Sequence, residues 1–280
     1  MLLVNVSDLH AGSTVGLWPN GMVNEDGLPL PPNPIARWLD ERWWMMLDEL
    51  LATNERIITV VDGDAIQGSH ADKDAQLYTA SWDLQRQAAL RYLQPLREIS
   101  GEMYMVHGTA WHEGAGGEHV KGLARDLECH RSKTDSQLYW QLYLKLGSHI
   151  AHFTHHISVA RVPFYEGSIP LRDMYGLVGE LYRAYGPNMP NVDLMVRAHR
   201  HRSIVLYKPP RFKIAVSPCW QLTGEFGHKV APGTFPDIGY LLIEPGRHGL
   251  WAHARVFDLP LPVIEEVKGW DDGECDIHAG

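Results

Sequence analysis

Five places in the chain bring metal-ligating or proton-transferring side chains together. Asp8-Leu9-His10 sets a carboxylate and an imidazole at i and i+2, which project to one side wherever strand geometry persists. Gly63-Asp64 supplies a second carboxylate behind a glycine that lets the chain turn tightly onto a ligand. Gly108-Thr109 is followed by His112, His155 and His156 are adjacent, and His199 and His201 again stand at i and i+2. Imidazole nitrogen and hard carboxylate oxygen together suit ions such as Mn2+, Fe or Zn2+. Sixteen histidines among 280 residues exceed what a core needs, and histidine is the commonest metal ligand. Taken singly, Asp8 reads equally well as a cap or turn residue, and His199 and His201 as alternating exposure on a strand. A metal site therefore requires that all five places meet.

Each place follows a short apolar run. Residues 2–6 and 57–61 read as buried strands, as do 103–106 before Gly108, 150–154 before His155 and 192–196 before His199. The spacing predicts helices over 35–53, 74–98, 118–129, 136–146 and 170–185. Trp38, Trp43, Met46, Leu47 and Leu50 form the expected buried stripe of the first. Residues 12–34, rich in Gly, Pro and Asn, form an irregular excursion. Strand, helix, strand in that order predicts parallel neighbours in a sheet covered on both faces. From residue 203 the texture changes to short alternating runs (203–207, 212–217, 239–244 and 249–257) of antiparallel character. In an open α/β sheet, ligands bind beyond the carboxyl ends of the strands, so the five places converge on one.

Read in order, SDLH (7–10), DGDAIQ (62–67), HGTAWHE (107–113), THH (154–156) and AHRH (198–201) resemble the blocks of the calcineurin-like metallophosphoesterase superfamily. Those blocks are D-x-H, G-D, G-N-H-D/E, a lone H and G-H-x-H. The stretches SDLHAGSTVG, GTAWHEG and SPCWQLTGEFGHKVAP resemble the branch of that superfamily found in phage and prophage genomes. The resemblance implies an α/β fold, a four-layer α/β/β/α sandwich of two mixed β-sheets, and the strand-rich second half supports the second β layer. It also implies two divalent transition-metal ions, Mn2+ first, with Fe, Zn2+ or Ni2+ as alternatives. By resemblance, Asp8, His10 and His201 hold the first ion, Asp64 bridges, and His155 and His199 hold the second. The implied activity is hydrolysis of a phosphate ester by a metal-activated water. Phosphodiesters of nucleotide or nucleic-acid type are the first expectation, a phosphomonoesterase or protein phosphatase the second. A degenerate, non-catalytic interaction module is the reading from another class.

The third block departs from the pattern. Where the family has an Asn ligand followed at once by a catalytic His, this chain has Thr109, two further residues and then His112. Either Thr109 ligates the second ion and His112 protonates the leaving group, or His112 is the substitute ligand, and spacing leaves both open. The working expectation is His112 as acid, with Thr109 at the metal. Gln67 stands where a supporting Asp or Asn is frequent. His156, His119 and Trp220 are expected at the substrate, and Trp111 and Trp220 have rings that could stack on a base.

Composition limits the remaining classes. A net charge of −9, without a basic cluster, argues against coating of long nucleic acid or an anionic membrane and favours small substrates; nucleic acid stays possible but is not indicated by charge. Three scattered cysteines (Cys129, Cys219 and Cys275) write neither a disulfide framework nor a CxxC zinc site, which fits a reducing cytoplasm. No apolar stretch reaches the ~20 residues of a membrane span. A single domain over 1–265 is expected, with 266–280 as an acidic, frayed tail in which Cys275 and His278 carry no site.

Overall fold

The computed structural model describes residues 1–69, 76–158, 165–208, 212–230, 233–246 and 249–261. The tail expected over 266–280 and the first two residues of the helix expected over 74–98 lie outside the described residues. Among the described residues, eleven strands form two sheets. The six-stranded sheet runs β11-β10-β1-β2-β3-β4, with β1 (Leu2–Val6), β2 (Ile57–Asp62), β3 (Ser100–Val106), β4 (Leu138–Tyr139), β10 (Ile238–Gly246) and β11 (Gly249–Phe257). β1, β2, β3 and β4 are parallel neighbours, whereas β10 is antiparallel to both β1 and β11. The second sheet runs β5-β6-β7-β9-β8, with β5 (Leu142–Leu146), β6 (His149–Phe153), β7 (Leu194–Arg197), β8 (Ile204–Lys208) and β9 (Phe212–Val216). In it β6, β7 and β9 are parallel and the two edges antiparallel.

Alternation along each strand assigns the layers. In β1 and β2, Val4, Val6, Ile57 and Val61 face a core built by α1 (Pro34–Ala52), α2 (Trp82–Ile99) and α4 (Lys121–Asp126). Leu3, Ile58 and Val60 face the other way and meet Leu142, Leu144, Phe153, Val196 and Ala215 of the second sheet. α5 (Ser168–Tyr185) closes the far side through Met174 and Leu181 on Met195 and Ile214. The result is the expected α/β/β/α order of four layers.

Local rules explain most element boundaries. Asn33 caps α1 by accepting the N–H of Ala36 at 2.8 Å, with Pro34 in the first turn where a missing N–H costs nothing. The buried face of α1 carries Trp43, Met46, Leu47 and Leu50 as expected, plus Ala36 and Leu39, while Trp38 is only half-buried. α2 begins at Trp82, later than expected, because the preceding segment is taken up by loop pairing, Leu77 bridging to Ser13. The helix expected over 118–129 shortens to α4. The helix expected over 136–146 is absent, and β4 and β5 stand there instead. Leu142, Leu144 and Leu146 are buried while Tyr143 and Lys145 are exposed, a period of two that serves the core between the sheets.

Candidate metal centre

Five side chains of the site sit on left-handed backbone just past strand ends: Asp8 (φ 53°), His10 (φ 45°), Asp64 (φ 50°), His199 (φ 72°) and His201 (φ 56°). Only three other described non-glycine residues share that region. Asp and His enter it more readily than most residues, so the ligand-type residues are also those that the backbone can bend this way. Each bend turns the chain back over the sheet end and aims a side chain into one space.

Among the described residues three interlocking groups of donor atoms result, each with its atoms within 4.8 Å of one another: Asp8, His10 and His201; His10, Asp64 and His112; Asp64, His155 and His199. The Nε2 atoms of His10 and His201 lie 3.1 Å apart, and His201 Nε2 is 3.3 Å from Asp8 Oδ1. Asp8 Oδ2 accepts the backbone N–H of His199 at 3.1 Å, whereas Oδ1 is buried without a hydrogen-bond partner among the described residues. His155 Nε2 lies 3.1 Å from Asp64 Oδ2, and its Nδ1 is held at 2.6 Å by the carbonyl oxygen of Asp62. His199 Nδ1 completes that side, 4.0 Å from Asp64 Oδ2.

The sequence expectations distribute unevenly over this geometry. Asp8, His10, Asp64, His112, His155, His199 and His201 come together. Thr109 touches the cluster, but through Asp64: its N–H and hydroxyl donate to Asp64 Oδ1 at 2.7 and 3.0 Å. The same hydroxyl caps α3 (Ala110–Glu113), accepting from His112 N. His156 is exposed at the rim, its ring 5.8 Å from that of His199. His119 stands outside the donor groups, stacked on Trp82 at 3.8 Å in a crevice of about 220 Å³. Trp220, expected at the substrate, is instead fully buried against Trp43 in the helix-side core, so its ring is not available for stacking on a ligand. Trp111 is exposed beside His112. Gln67 supports His112 by its backbone, not its amide: the carbonyl oxygen lies 2.6 Å from His112 Nδ1.

Electrostatics bind the buried groups into a unit. Burial alone would raise the carboxyls of Asp8 and Asp64, but His155, with His201 beside Asp8, holds both well below the usual range. Conversely, burial would lower His155, yet Asp64 and Asp8 raise it to about 10. His10 goes the other way, to about 4, because burial and the neighbouring His112 oppose its charge.

Two residues were missed in the sequence. Glu113 is buried and raised by burial and by the nearby charge of Asp64, and it accepts the backbone N–H groups of both Asp64 and Gly108. Asp62 is buried with neither carboxylate oxygen hydrogen-bonded among the described residues, and burial pushes it up to about 7. Both carry a signal in hindsight. Glu113 directly follows His112, and Asp62 directly precedes Gly63-Asp64.

No protein-family model matches the chain, and no curated protein is similar to it in sequence. Some solved structures are similar to it at a low level. YfcE, a phosphoesterase from E. coli, is 14% identical with a TM-score of 0.42, over 87% of this chain and 88% of that one. A putative 5'-nucleotidase from Staphylococcus aureus is 12% identical with a TM-score of 0.42, over 95% of this chain and 56% of that one. The NAD nucleotidase of Haemophilus influenzae is likewise 12% identical with a TM-score of 0.42, over 90% of this chain and 49% of that one. At this level the likeness carries neither activity nor substrate across to this chain.

Proposed function

We propose that the chain is a two-metal phosphoester hydrolase of the calcineurin-like metallophosphoesterase kind, acting on phosphodiesters of nucleotide size. The observation that carries this reading is the interlocking of the three donor groups through His10 and Asp64. The donor set also passes a test of fit. A buried carboxylate oxygen of Asp8 with no hydrogen-bond partner among the described residues, facing the ring nitrogens of His10 and His201 that lie 3.1 Å apart, is a setting that a bound cation would satisfy. Asp8, His10 and His201 would hold one ion and His155 and His199 a second, with Asp64 between them. Bound there, such ions supply Lewis-acid polarisation of a phosphoryl group and acidification of a water molecule.

The chain's own residues do the rest. Thr109 fixes the Asp64 carboxylate by two donated hydrogen bonds, and the carbonyl of Asp62 fixes the ring of His155, leaving Nε2 to face inward. His156, exposed beside His199, offers a donor to a substrate phosphoryl oxygen. The preference for diesters over simple monoesters follows the resemblance of the sequence blocks to the metallophosphoesterase branch of phage and prophage genomes. A net charge of −9 supports nucleotide-sized substrates over long nucleic acid. Among the described residues no helix is long and apolar enough to cross a membrane.

Hydrolysis of bis(p-nitrophenyl) and mono(p-nitrophenyl) phosphate by chelator-treated protein, with and without added Mn2+, tests the reading. The expected result is Mn2+-dependent turnover, faster on the diester and lost in Asp64→Asn. No turnover of either ester with Mn2+ bound overturns it in favour of a non-catalytic module, and a preference for the monoester overturns the diester assignment.

A further inference from the structure

The third block is where the chain leaves its relatives' pattern, and the structure places its two candidates differently from either sequence-based alternative. Thr109 is committed elsewhere: its hydroxyl hydrogen goes to Asp64 and its oxygen accepts the N–H of His112. His112 enters the cluster, but on the side of His10 and not with His155 and His199. Its ring meets that of His10 edge-on at 4.5 Å. Because Nδ1 is tied to the carbonyl of Gln67 at 2.6 Å, the nitrogen left for any ligand is Nε2. His155 is held in the same manner, with Nδ1 on the carbonyl of Asp62 at 2.6 Å and Nε2 on the cluster. A ring N–H donated to a carbonyl is the support that metal-ligating histidines ordinarily have, since it fixes the tautomer and raises the basicity of the other nitrogen.

Resting on the two-metal reading above, we infer that His112 is a ligand of the first ion and not the acid that protonates the leaving group. The two sites are then unequal. His112 shares a donor group with His10 and Asp64, and His10 joins that group to Asp8 and His201 at the first ion, whereas among the described residues His155 and His199 are grouped with Asp64 alone. The first ion is a resident one, and the second exchanges. The longer loop of the third block serves to bring an imidazole to the first ion, at the cost of the neutral oxygen donor that the second ion would otherwise have.

Calorimetric titration of the metal-free chain with Mn2+ tests the assignment without reference to activity. The expected wild-type isotherm has one tight and one weak site. His112→Ala should weaken the tight site ~100-fold and leave the weak one within about twofold, while His199→Ala should do the reverse; outer partners alone cost ~10–100-fold. His112→Gln, which retains a neutral oxygen donor, should recover part of the loss if the alanine variant folds poorly. An unchanged isotherm in both His112 variants overturns the assignment while leaving the two-metal reading intact. Loss of the weak site in His112→Ala, or in Thr109→Val with His112→Ala unaffected, also overturns it. A wild type that binds no Mn2+ overturns the two-metal reading itself.

Discussion

The carboxylate of Glu113 is bonded to the backbone of Asp64, not to its side chain: Oε1 accepts the Asp64 N–H at 2.9 Å while Oε2 accepts that of Gly108 at 2.8 Å. One buried side chain thus pins the ends of β2 and β3 to each other at the residue shared by two donor groups. Replacing it by alanine leaves two buried N–H groups unpartnered. Glu113→Ala should cost about 2–6 kcal/mol in urea unfolding, at ~1–3 kcal/mol for each orphaned group. Glu113→Gln should fall between, because one end of the amide still accepts while the other places N–H against N–H.

Gly63 is needed for two reasons at once. Its φ is +76°, and a β-carbon there would lie 2.5 Å from His155 Nδ1 and 2.6 Å from Gly108 Cα. Gly63→Ala should therefore displace His155 from the Asp62 carbonyl, costing about 1–3 kcal/mol in stability from the strained backbone. Mn2+ titration should show the second ion lost before the first.

Gln85, buried on α2, holds the loop behind His112 from outside the cluster. Its Oε1 accepts the N–H of Gly68 at 2.8 Å, and its Nε2 donates to the carbonyls of Gly68 and Thr79 at 3.1 and 2.9 Å. Gly68 adjoins Gln67, whose carbonyl orients His112. Gln85→Leu should lower metal affinity ~10-fold at the first ion, as loss of an outer partner does. The same variant should lose about 2–4 kcal/mol of stability from the groups left unpaired. Equal affinity in both proteins would detach Gln85 from the site.

Acid should destabilise the metal-free chain through histidines that are buried neutral. Burial and the Arg197 charge lower His152 to about 3, while burial and Lys121 lower His107 to about 4. Above the unfolded value of ~6.5 neither the folded nor the unfolded chain binds a proton there. As pH falls below it the unfolded chain takes up protons that the folded chain refuses, so stability drops until the pH passes the folded values. The measurement is the urea midpoint between pH 7 and pH 4 for wild type and His152→Gln. The variant, which keeps an acceptor for the Arg197 bond at 3.3 Å, should show the shallower decline.

The meeting of Asp8, His10, Asp64, His155, His199 and His201 at one place was legible because their order and their strand-end context are both written in the chain. Asp8 and His10 follow an apolar run that ends at Val6, and His199 and His201 follow one that ends at Val196. The layers were legible for the same reason, in the continuous apolar runs of β1 and β2. What escaped depended on partners far away in sequence. Glu113 acts on a backbone amide 49 residues earlier, which no local pattern encodes. Trp220 looked available because its neighbours are chemical, yet Trp43, on a helix near the other end of the chain, covers it. β5 was misread as helix because its five residues alternate over too short a span to outweigh the flanking apolar residues.

On the two-metal reading proposed above, the left-handed turns at Asp8, His10, Asp64, His199 and His201 would make the abundance of this protein a function of metal supply. Each such turn works against the folded chain by ~1–3 kcal/mol, and Asp8 Oδ1 and both Asp62 carboxylate oxygens are buried without a hydrogen-bond partner among the described residues. An ion present at 100 times its dissociation constant returns ~2.7 kcal/mol to the folded state alone. For a domain whose whole margin is ~5–15 kcal/mol, that contribution separates a chain that persists from one that is degraded. On that reading, starvation of metal would remove the protein itself, and the proposed activity would return on refeeding at the pace of new synthesis and not of ion binding.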